Sequence, residues 1–369
     1  MVKSKAAVAF EPGKPLEIVE VDVENPKAGE VMVKIEFTSL CHTDVYSVSG
    51  DDPSAKFPMI PGHEAAGVVV KVGEGVTNVK EGDHVIPVWK PECGECEYCV
   101  RGLNFCSAVS DTQGEGVMRD GTTRFSYEGQ DLYHFMGTST FSEYTVVNDI
   151  NVCKIPDEAP MDKVCLLGCG VTTGLKSVEN DVEVEEGATA AVFGMGTIGL
   201  AVIQGLVSQG ASRIIAIDID DGKEEVARQF GATDFINSRK IDQPIQDYLI
   251  EMTDGGVDYS FACVGHVETM NAALEATHKG WGESVVIGVA AGGEKISTRP
   301  FQLVTGREWK GSSFGGVTGI TGLSELVGDY LDGDFDLDAY ITHELKIEDI
   351  NEAVELQNKG ESLRDIITF

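Results

Sequence analysis

The sequence predicts an α/β protein in two parts, a β-rich first half and a domain built on a doubly wound parallel sheet. Its 369 residues are enough for two domains of ordinary size. Runs of β-branched residues bounded by Gly, Pro and Asn dominate the first half, whereas strands and helices alternate after about residue 170. With 42% hydrophobic and 24% charged residues, the composition is typical of a globular protein with a substantial core.

The first half contains three clear strand predictions and one long irregular segment. The strands are EVMVKIEF (30–37), GVVVKVG (67–73) and GDHVIPVW (82–89). The segment from Glu92 to about Thr140 is polar and rich in Gly, which predicts loops rather than regular structure.

The second half repeats a strand–helix pattern that is typical of a parallel sheet. Apolar strands are predicted in ATAAVF, RIIAIDID, DYSFACVG and ESVVIGVA, with helices in KEEVARQFGA and NAALEATHKG. The last 23 residues, IEDINEAVELQNKGESLRDIITF, predict a helix followed by a terminal strand. The change of pattern near residue 170 therefore marks the start of the parallel-sheet domain.

A glycine turn between the strand ATAAVF and the following helix predicts a Rossmann dinucleotide site. The turn comprises Gly194, Met195, Gly196, Thr197, Ile198 and Gly199. Glycines allow a tight turn and a close approach of backbone to pyrophosphate, while the helix N-terminus offers free N–H groups to the phosphates. Asp218 ends the next strand, where an acid accepts hydrogen bonds from the ribose and repels a 2′-phosphate. This favours NAD over NADP, with a solvated strand end as the alternative for Asp218.

The charge balance excludes two classes of partner. The formal net charge is −33, which argues against nucleic acid and against anionic membrane surfaces. Either an ordinary solvated acidic surface or adaptation to a salty cytoplasm accounts for this charge. The sequence has no apolar run of the roughly 18 residues that span a membrane. Its start lacks the apolar core of a signal peptide, so we expect a cytoplasmic protein.

Four of the nine cysteines fall within one short segment at about residues 92–108. They are Cys93, Cys96, Cys99 and Cys106. A disulfide cluster is disfavoured in a cytosolic chain, and a redox CxxC normally occurs in a thioredoxin-like βαβ context. Four thiolates fill a tetrahedral zinc and leave no position for substrate, so the cluster predicts a structural zinc site.

Three separated segments suggest a second metal site. They are Cys41-His42-Thr43-Asp44, Gly62-His63-Glu64 and Gly168-Cys169-Gly170. Two Cys and one His are suitable ligands for a catalytic zinc, which keeps a fourth position open. Taken singly, a histidine such as His63 is more often structural and a cysteine such as Cys169 is more often a small core residue, so spacing alone leaves the metal site and the structural alternative open.

Longer motifs carry a resemblance to a known family. The motifs are CHTD, PGHEAAGVV, ECGECEYC, TQGEG, DGTTRF, MGTSTFSEYTVV, KVCLLGCGVTTG, EMTDGGVDYSF, HKGWG and RPFQLVTGREWKGSSFGG. The sequence resembles, nearly end to end, the zinc-dependent medium-chain alcohol dehydrogenases, and within them the class III, glutathione-dependent formaldehyde dehydrogenases. The resemblance implies a GroES-like catalytic domain of residues 1–170 and 312–369, and a Rossmann NAD-binding domain of residues 171–311. It also implies a cytoplasmic oxidoreductase of formaldehyde metabolism.

The resemblance also implies the roles of the residues around the catalytic zinc. Cys41, His63 and Cys169 would bind the metal, and Glu64 would lie beside it. Asp44 would orient His63, and the Thr43 hydroxyl would take the substrate proton. Tyr46 stands where some relatives have a histidine, which makes water the terminal proton acceptor.

Further residues would contact NAD by the same resemblance. His42 and Arg364 would face the cofactor pyrophosphate. Lys223 would contact the adenosine ribose beside Asp218, and Val289 is a further predicted contact. Two zinc ions per subunit are expected. The relatives pair through the cofactor domain, so a homodimer is expected, with a tetramer as the alternative.

The substrate residues are where the sequence departs from class III. Ser110 occupies the position of an arginine that holds the glycyl carboxylate of glutathione, and Ser54 occupies that of a glutamate. Asp52 and Lys279 remain as substrate contacts. We expect oxidation of S-(hydroxymethyl)glutathione and primary alcohols, or a general alcohol dehydrogenase that uses glutathione weakly or accepts another thiol. A non-catalytic NAD-binding protein is the remote alternative.

Overall fold

The computed structural model describes residues 1–369 and divides into two compact units. One unit comprises Met1–Cys169 with Thr318–Phe369, and the other comprises Gly170–Val317. The predicted ranges differ from these units mainly at residues 312–317, which group with the second unit. The reason is local packing: the Asn180 amide donates to the Gly315 carbonyl at 2.8 Å. The assignment of the two ranges to catalytic and cofactor domains stays a prediction.

The chain forms eighteen strands and twelve α-helices. The strands are β1 Val2–Val8, β2 Glu17–Val23, β3 Glu30–Ser39, β4 Met59–Ile60, β5 Glu64–Val72, β6 His84–Pro87, β7 Phe125–Tyr127, β8 Gln130–His134, β9 Tyr144–Asn148, β10 Val152–Lys154, β11 Thr189–Phe193, β12 Arg213–Asp218, β13 Asp234–Asn237, β14 Tyr259–Ala262, β15 Glu283–Val286, β16 Glu308–Gly311, β17 Ile341–Lys346 and β18 Arg364–Thr368. The helices are α1 His42–Ser49, α2 Glu97–Val100, α3 Ser110–Gly114, α4 Met161–Val164, α5 Gly170–Lys176, α6 Thr197–Ser208, α7 Glu224–Phe230, α8 Ile245–Met252, α9 Val267–Glu275, α10 Pro300–Val304, α11 Thr321–Asp332 and α12 Ile350–Lys359. None of them has the length and apolar character needed to cross a membrane.

Two sheets form the first unit. One has the order β1-β2-β7-β8-β4, and the other has the order β10-β6-β5-β3-β18-β17 with β9 also paired to β3. The predicted strands at 30–37, 67–73 and 82–89 are confirmed as β3, β5 and β6. The segment predicted to be irregular holds short strands, β7 and β8, which pair with each other across a tight turn.

In the sheet that contains β3, β5 and β18, strand pairing brings three distant parts of the chain together. Ser39, at the end of β3, pairs with Glu64 at the start of β5. On the other side of β3, Ser39 pairs with Ile366 of the C-terminal strand β18. Cys41 follows β3 directly and Arg364 begins β18, so the residues near both strand ends converge on one place.

The second unit is a six-stranded parallel sheet in the order β13-β12-β11-β14-β15-β16. Counted from β11, this is the order 3-2-1-4-5-6 of a dinucleotide-binding sheet. The predicted doubly wound fold is therefore confirmed. The helix predicted at 271–280 differs in extent, because α9 begins at Val267 and ends at Glu275. The chain then turns back, where Gly280 N–H donates to the Thr305 carbonyl at 2.9 Å.

Candidate active site and metal centres

The first unit gathers a buried cluster of metal-binding side chains. The ligand atoms of four residues all lie within 4.8 Å of one another: Cys41, His63, Glu64 and Cys169. Cys41 precedes α1, His63 and Glu64 stand at the start of β5, and Cys169 follows a 3₁₀-helix that packs on β5. The three separated sequence segments therefore meet, as the second metal site requires.

Asp44 accepts hydrogen bonds from both sequence segments that meet at this cluster around Cys41 and His63. One carboxylate oxygen accepts hydrogen bonds from Gly62 N–H and from His63 Nδ1, each at 3.0 Å. The other oxygen accepts from Cys41 N–H at 3.0 Å. A carboxylate on Nδ1 fixes the ring orientation and leaves Nε2 as the ligand atom. The orienting role predicted for Asp44 has the contacts that it needs.

The chemistry of the donor set fits a zinc ion. His63 Nε2 is buried and has no hydrogen-bond partner, and a buried polar atom without a partner is costly unless something binds it. The pKa of Cys41 lies well below its usual value because Cys169 donates to it and Arg364 adds positive charge nearby. A thiolate, a second thiol and a free imidazole nitrogen form the set that a catalytic zinc takes.

Glu64 is held by an arginine from the far end of the chain. Arg364 Nε and a terminal nitrogen donate to the two Glu64 oxygens at 2.8 and 3.0 Å, and Ser39 Oγ also donates to this carboxylate. The Arg364 guanidinium lies 3.5 Å from Cys41 Sγ as well. Its expected contact with the cofactor pyrophosphate stays a prediction.

Three further predicted residues follow Cys41 closely in the sequence. Thr43 is half-buried, and its hydroxyl oxygen lies 3.7 Å from Cys41 Sγ. This places the hydroxyl beside the predicted metal site. His42 is exposed and Tyr46 is half-buried.

The four-cysteine loop forms the second candidate metal centre. The sulfur atoms of Cys93, Cys96, Cys99 and Cys106 lie within 4.8 Å of one another. Cys96 N–H donates to Cys93 Sγ at 3.3 Å, as a thiolate acceptor favours. Backbone N–H groups of Cys99 and Ser107 lower the pKa of Cys96 to about 6, whereas burial raises that of Cys106 to about 12. Four thiolates can coexist here only around a cation.

The glycine turn of the second unit has the geometry of a dinucleotide site. Gly194 has a φ of +97°, and a Cβ there would lie 2.3 Å from Val264. A Cβ at Gly199 would lie 1.8 Å from the Gly194 carbonyl oxygen, whereas one at Gly196 would meet nothing within 4 Å. The outer glycines are thus needed for the turn itself, and Gly196 leaves open space for a ligand. Asp218 holds the turn by accepting from Met195 N–H at 2.7 Å.

A cavity of about 560 Å³ lies beside this turn and is lined by Gly194 and Asp218. Lys223 ends a 3₁₀-helix after β12 and is half-buried, and Val289 is 65% exposed. Neither residue lines the cavity, so both remain predicted cofactor contacts.

Comparison with known proteins identifies the family. A model of the alcohol dehydrogenase GroES-like domain matches residues 27–157, and one of the zinc-binding dehydrogenase domain matches residues 197–328. A curated S-(hydroxymethyl)glutathione dehydrogenase from Escherichia coli O1:K1 / APEC is 58% identical over 369 residues, which is 100% of both chains. The chain belongs to the class III zinc-dependent alcohol dehydrogenases. It is an oxidoreductase acting on CH–OH groups, and NAD is the cofactor typical of this family.

Two solved structures agree with this assignment. An alcohol dehydrogenase zinc-binding domain protein from Burkholderia ambifaria is 32% identical with a TM-score of 0.92, covering 100% of this chain and 99% of the other. Benzyl alcohol dehydrogenase from Acinetobacter calcoaceticus is 29% identical with a TM-score of 0.92, and both chains are covered in full. The predicted fold and the expected catalytic and structural zinc ions are confirmed. The relatives do not favour the weakly glutathione-dependent or non-catalytic alternatives.

Three of the positions predicted to contact substrate meet at one cavity of the first unit. Asp52, Ser54 and Ser110 all line a cavity of about 390 Å³. Ser54 N–H and Oγ donate to Asp52 at 2.9 and 2.6 Å. Lys279 belongs to the second unit and is exposed, so its role as a substrate contact stays a prediction.

Sequence reasoning missed one charged residue of this cavity. Lys90 also lines it, and its side chain is only 8% exposed. The available signal was a lone lysine between Trp89 and Pro91, directly before the cysteine loop. A charged residue at the end of a buried strand is uncommon unless it has a partner or a function.

Proposed function

We propose that this enzyme oxidises S-(hydroxymethyl)glutathione with NAD as the hydride acceptor, and that it also accepts primary alcohols. The observation that carries the proposal is 58% identity along the whole chain to relatives of that name. Support also comes from the cavity that groups Asp52, Ser54 and Ser110 in the unit that holds the buried cysteine–histidine cluster. Its volume, about 390 Å³, is in the range of small-molecule sites.

The residues of the buried cluster have distinct roles in the proposed reaction. Cys41, His63 and Cys169 hold the catalytic zinc. When bound, zinc polarises the substrate oxygen as a Lewis acid and NAD accepts the hydride. Asp44 keeps the His63 ring in position through Nδ1. The Thr43 hydroxyl takes the proton that leaves the substrate oxygen, and water accepts it further along the path.

Glu64 and Arg364 control the charge beside the zinc ligands. Glu64 is fully buried, and its pKa is raised by burial although Arg364 opposes the shift. With both oxygens paired to Arg364, the carboxylate stays close to the cluster without having to bind the metal. Arg364 and the exposed His42 are the proposed cations for the cofactor pyrophosphate.

The cofactor site is proposed in the second unit, with residues 171–311 as the NAD-binding domain. Pyrophosphate would bind over Gly196 at the N-terminus of α6, with Thr197 and Ile198 as its nearest backbone donors. Asp218 would accept from the adenosine ribose, with Lys223 and Val289 as further contacts.

The proposal extends to assembly and location. We propose a cytoplasmic homodimer, with a tetramer as the alternative. Nine cysteines without a disulfide suit a reducing compartment. Light scattering of the purified protein measures the subunit number directly.

Initial rates of NADH formation test the proposed function. The panel is formaldehyde alone, formaldehyde with glutathione, and octanol, each with NAD in excess and with metal content measured on the same sample. We expect two zinc ions per chain and a rate with formaldehyde that depends on glutathione. A rate with formaldehyde that glutathione leaves unchanged, beside rapid oxidation of octanol, would contradict the proposed substrate.

A further inference from the structure

Lys90 is a buried cation without an anionic partner. Its side chain is 8% exposed, and its ammonium makes no ion pair with any carboxylate of the protein. The Nζ atom lies 4.8 Å from the centre of the Trp89 ring and 4.4 Å from that of Phe105. Aromatic faces attract a cation but accept little of its hydrogen-bonding capacity, which is three donors. Lys90 is therefore held in place while its donors remain available.

The backbone at Lys90 is fixed by the first unit. A Cβ on Gly319 would lie 1.8 Å from the Lys90 carbonyl oxygen, so only glycine allows this contact. Together with the two aromatic rings, the contact sets the position of the side chain before any ligand arrives. A preorganised cation loses less entropy on binding than a flexible surface lysine does.

The other lysine of the cavity has an ion pair, and its carboxylate has neutral hydrogen-bond donors. Lys56 Nζ lies 3.0 Å from a Glu115 carboxylate oxygen. Asp52 is the cavity's carboxylate, and its two oxygens accept from Ser47 at 2.9 Å and from Ser54. Burial would raise the pKa of Asp52, but these hydrogen bonds hold it below its usual value.

Histidine adds no positive charge to the cavity. Burial and the charge of Arg124 lower the pKa of His134 to about 3, so this ring is neutral near pH 7. Burial likewise lowers the pKa of Lys90 to about 8, against the opposing effect of Cys169. Lys90 is consequently the one cation of the cavity that makes no ion pair with a carboxylate, and a bound anion would relieve its desolvation.

We propose that Lys90 is a specificity-determining residue that binds the glycyl carboxylate of the thiol adduct. It would supply the positive charge that Ser110, in the same cavity, does not. The inference rests on the proposed function, because it takes an S-hydroxymethyl thiol with a terminal carboxylate as the substrate. Charge-assisted hydrogen bonds are the stronger class, and we expect Lys90 to account for about 10- to 100-fold in kcat/KM.

Esterification of the glycyl carboxylate tests this contact, because it removes the negative charge that Lys90 would bind. The adducts of formaldehyde with glutathione and with its glycyl ethyl ester are compared in wild type and in Lys90→Met, which keeps the length and apolar packing of the side chain. Wild type should prefer the free acid by about 10- to 100-fold, mainly through KM. In Lys90→Met the preference should fall to near unity, because the two changes remove the same interaction.

Two further variants serve as controls. Lys90→Arg keeps a positive charge and should retain most of the preference for the free acid. Lys56→Met removes the other lysine of the cavity, whose partner Glu115 is exposed. The preference of this variant for the free acid over the ester should stay within about threefold of the wild-type value. Thermal unfolding and zinc content verify that each variant is folded.

The outcomes separate the two proposals. A wild type that uses both adducts equally well, and both far better than octanol, would leave the proposed function standing and overturn the role of Lys90. A Lys90→Met variant that loses the same factor on both adducts would overturn it too, since packing alone would then explain the loss. Oxidation of octanol with no turnover of either adduct would overturn both proposals.

Discussion

The hydrogen bonds of Asp44 predict a specific defect in the variant Asp44→Asn. One carboxylate oxygen accepts from Gly62 N–H and His63 Nδ1, and the other accepts from Cys41 N–H. An asparagine has only one acceptor oxygen. If that oxygen keeps the hydrogen bonds from Gly62 N–H and His63 Nδ1, the amide NH₂ group faces the Cys41 N–H. Two hydrogen-bond donors then oppose each other.

The size of the defect follows from the lost bond and the lost charge. Asp44 is 1% exposed, so water cannot replace the hydrogen bond to Cys41. The loss of a hydrogen bond to a charged acceptor costs about 1.5–3 kcal/mol of the free energy of unfolding. A neutral partner on Nδ1 also makes His63 a weaker ligand, which should lower zinc affinity or activity by about 10- to 100-fold.

Chelator competition measures this effect on the purified enzyme. Zinc content and NADH formation are followed against chelator concentration, and Asp44→Asn should lose one of two zinc ions early. Asp83→Asn is the matched control, because Asp83 is also buried and accepts from Lys80 N–H and Lys154 Nζ at 2.9 and 2.8 Å. It should lower stability without changing the zinc affinity. An Asp44→Asn variant with wild-type zinc retention and wild-type kcat/KM would refute the reasoning.

Three more predictions address packing, a buried ion pair and pH. Gly168→Ala would bring a Cβ to 3.0 Å from the first Cα of β5. It should lower the free energy of unfolding by about 1–3 kcal/mol and reduce the zinc content. Gly114→Ala is the control, because a Cβ there meets nothing within 4 Å, and it should change neither quantity. Glu30→Gln removes the negative charge beside the fully buried Arg124, whose Nε donates to Glu30 at 2.8 Å, while Asp120 still accepts from Arg124 at 3.0 Å. It should cost about 1.5–3 kcal/mol in denaturant unfolding, and a loss below about 1 kcal/mol would contradict this. Because Lys90 has a lowered pKa of about 8, it is charged below that pH and neutral above it. The preference for the free-acid adduct should therefore fall between about pH 7 and 9, and a constant preference would contradict the prediction.

The parallel-sheet unit is the part of the fold that the sequence predicts best. Its strands are short, apolar and separated by helices, and β11 is followed by a turn in which Gly194 and Gly199 are sterically required. These signals are local, so they are readable without knowing any long-range contact. The helix predicted at 271–280 lies at Val267–Glu275 instead. Val267, Met270 and Leu274 recur at helical spacing, a signal that the prediction overlooked, and Gly280 is held by a distant carbonyl.

The first unit and its sites depend on contacts that periodicity does not reveal. Its strands are predictable one by one, but the pairing of β3 with β18 joins residues more than 300 positions apart. Spacing alone left Cys41, His63 and Cys169 ambiguous, since only the fold brings their ligand atoms together. Lys90 was missed because the sequence does not show that the cysteine loop folds back and brings Phe105 over its ammonium.

The pairing of β18 with β3 also has a consequence for biosynthesis. Cys41, His63 and Glu64 are made early, whereas Arg364 follows Glu64 by 300 residues. Until β18 docks, the Glu64 carboxylate has no arginine to balance its charge, and burial without a partner is unfavourable. Because chains are synthesised from the N-terminus, the catalytic centre acquires its final electrostatic balance only after β18, the last strand in chain order, has been made. A prematurely ended chain could fold its dinucleotide unit and still lack a finished metal centre.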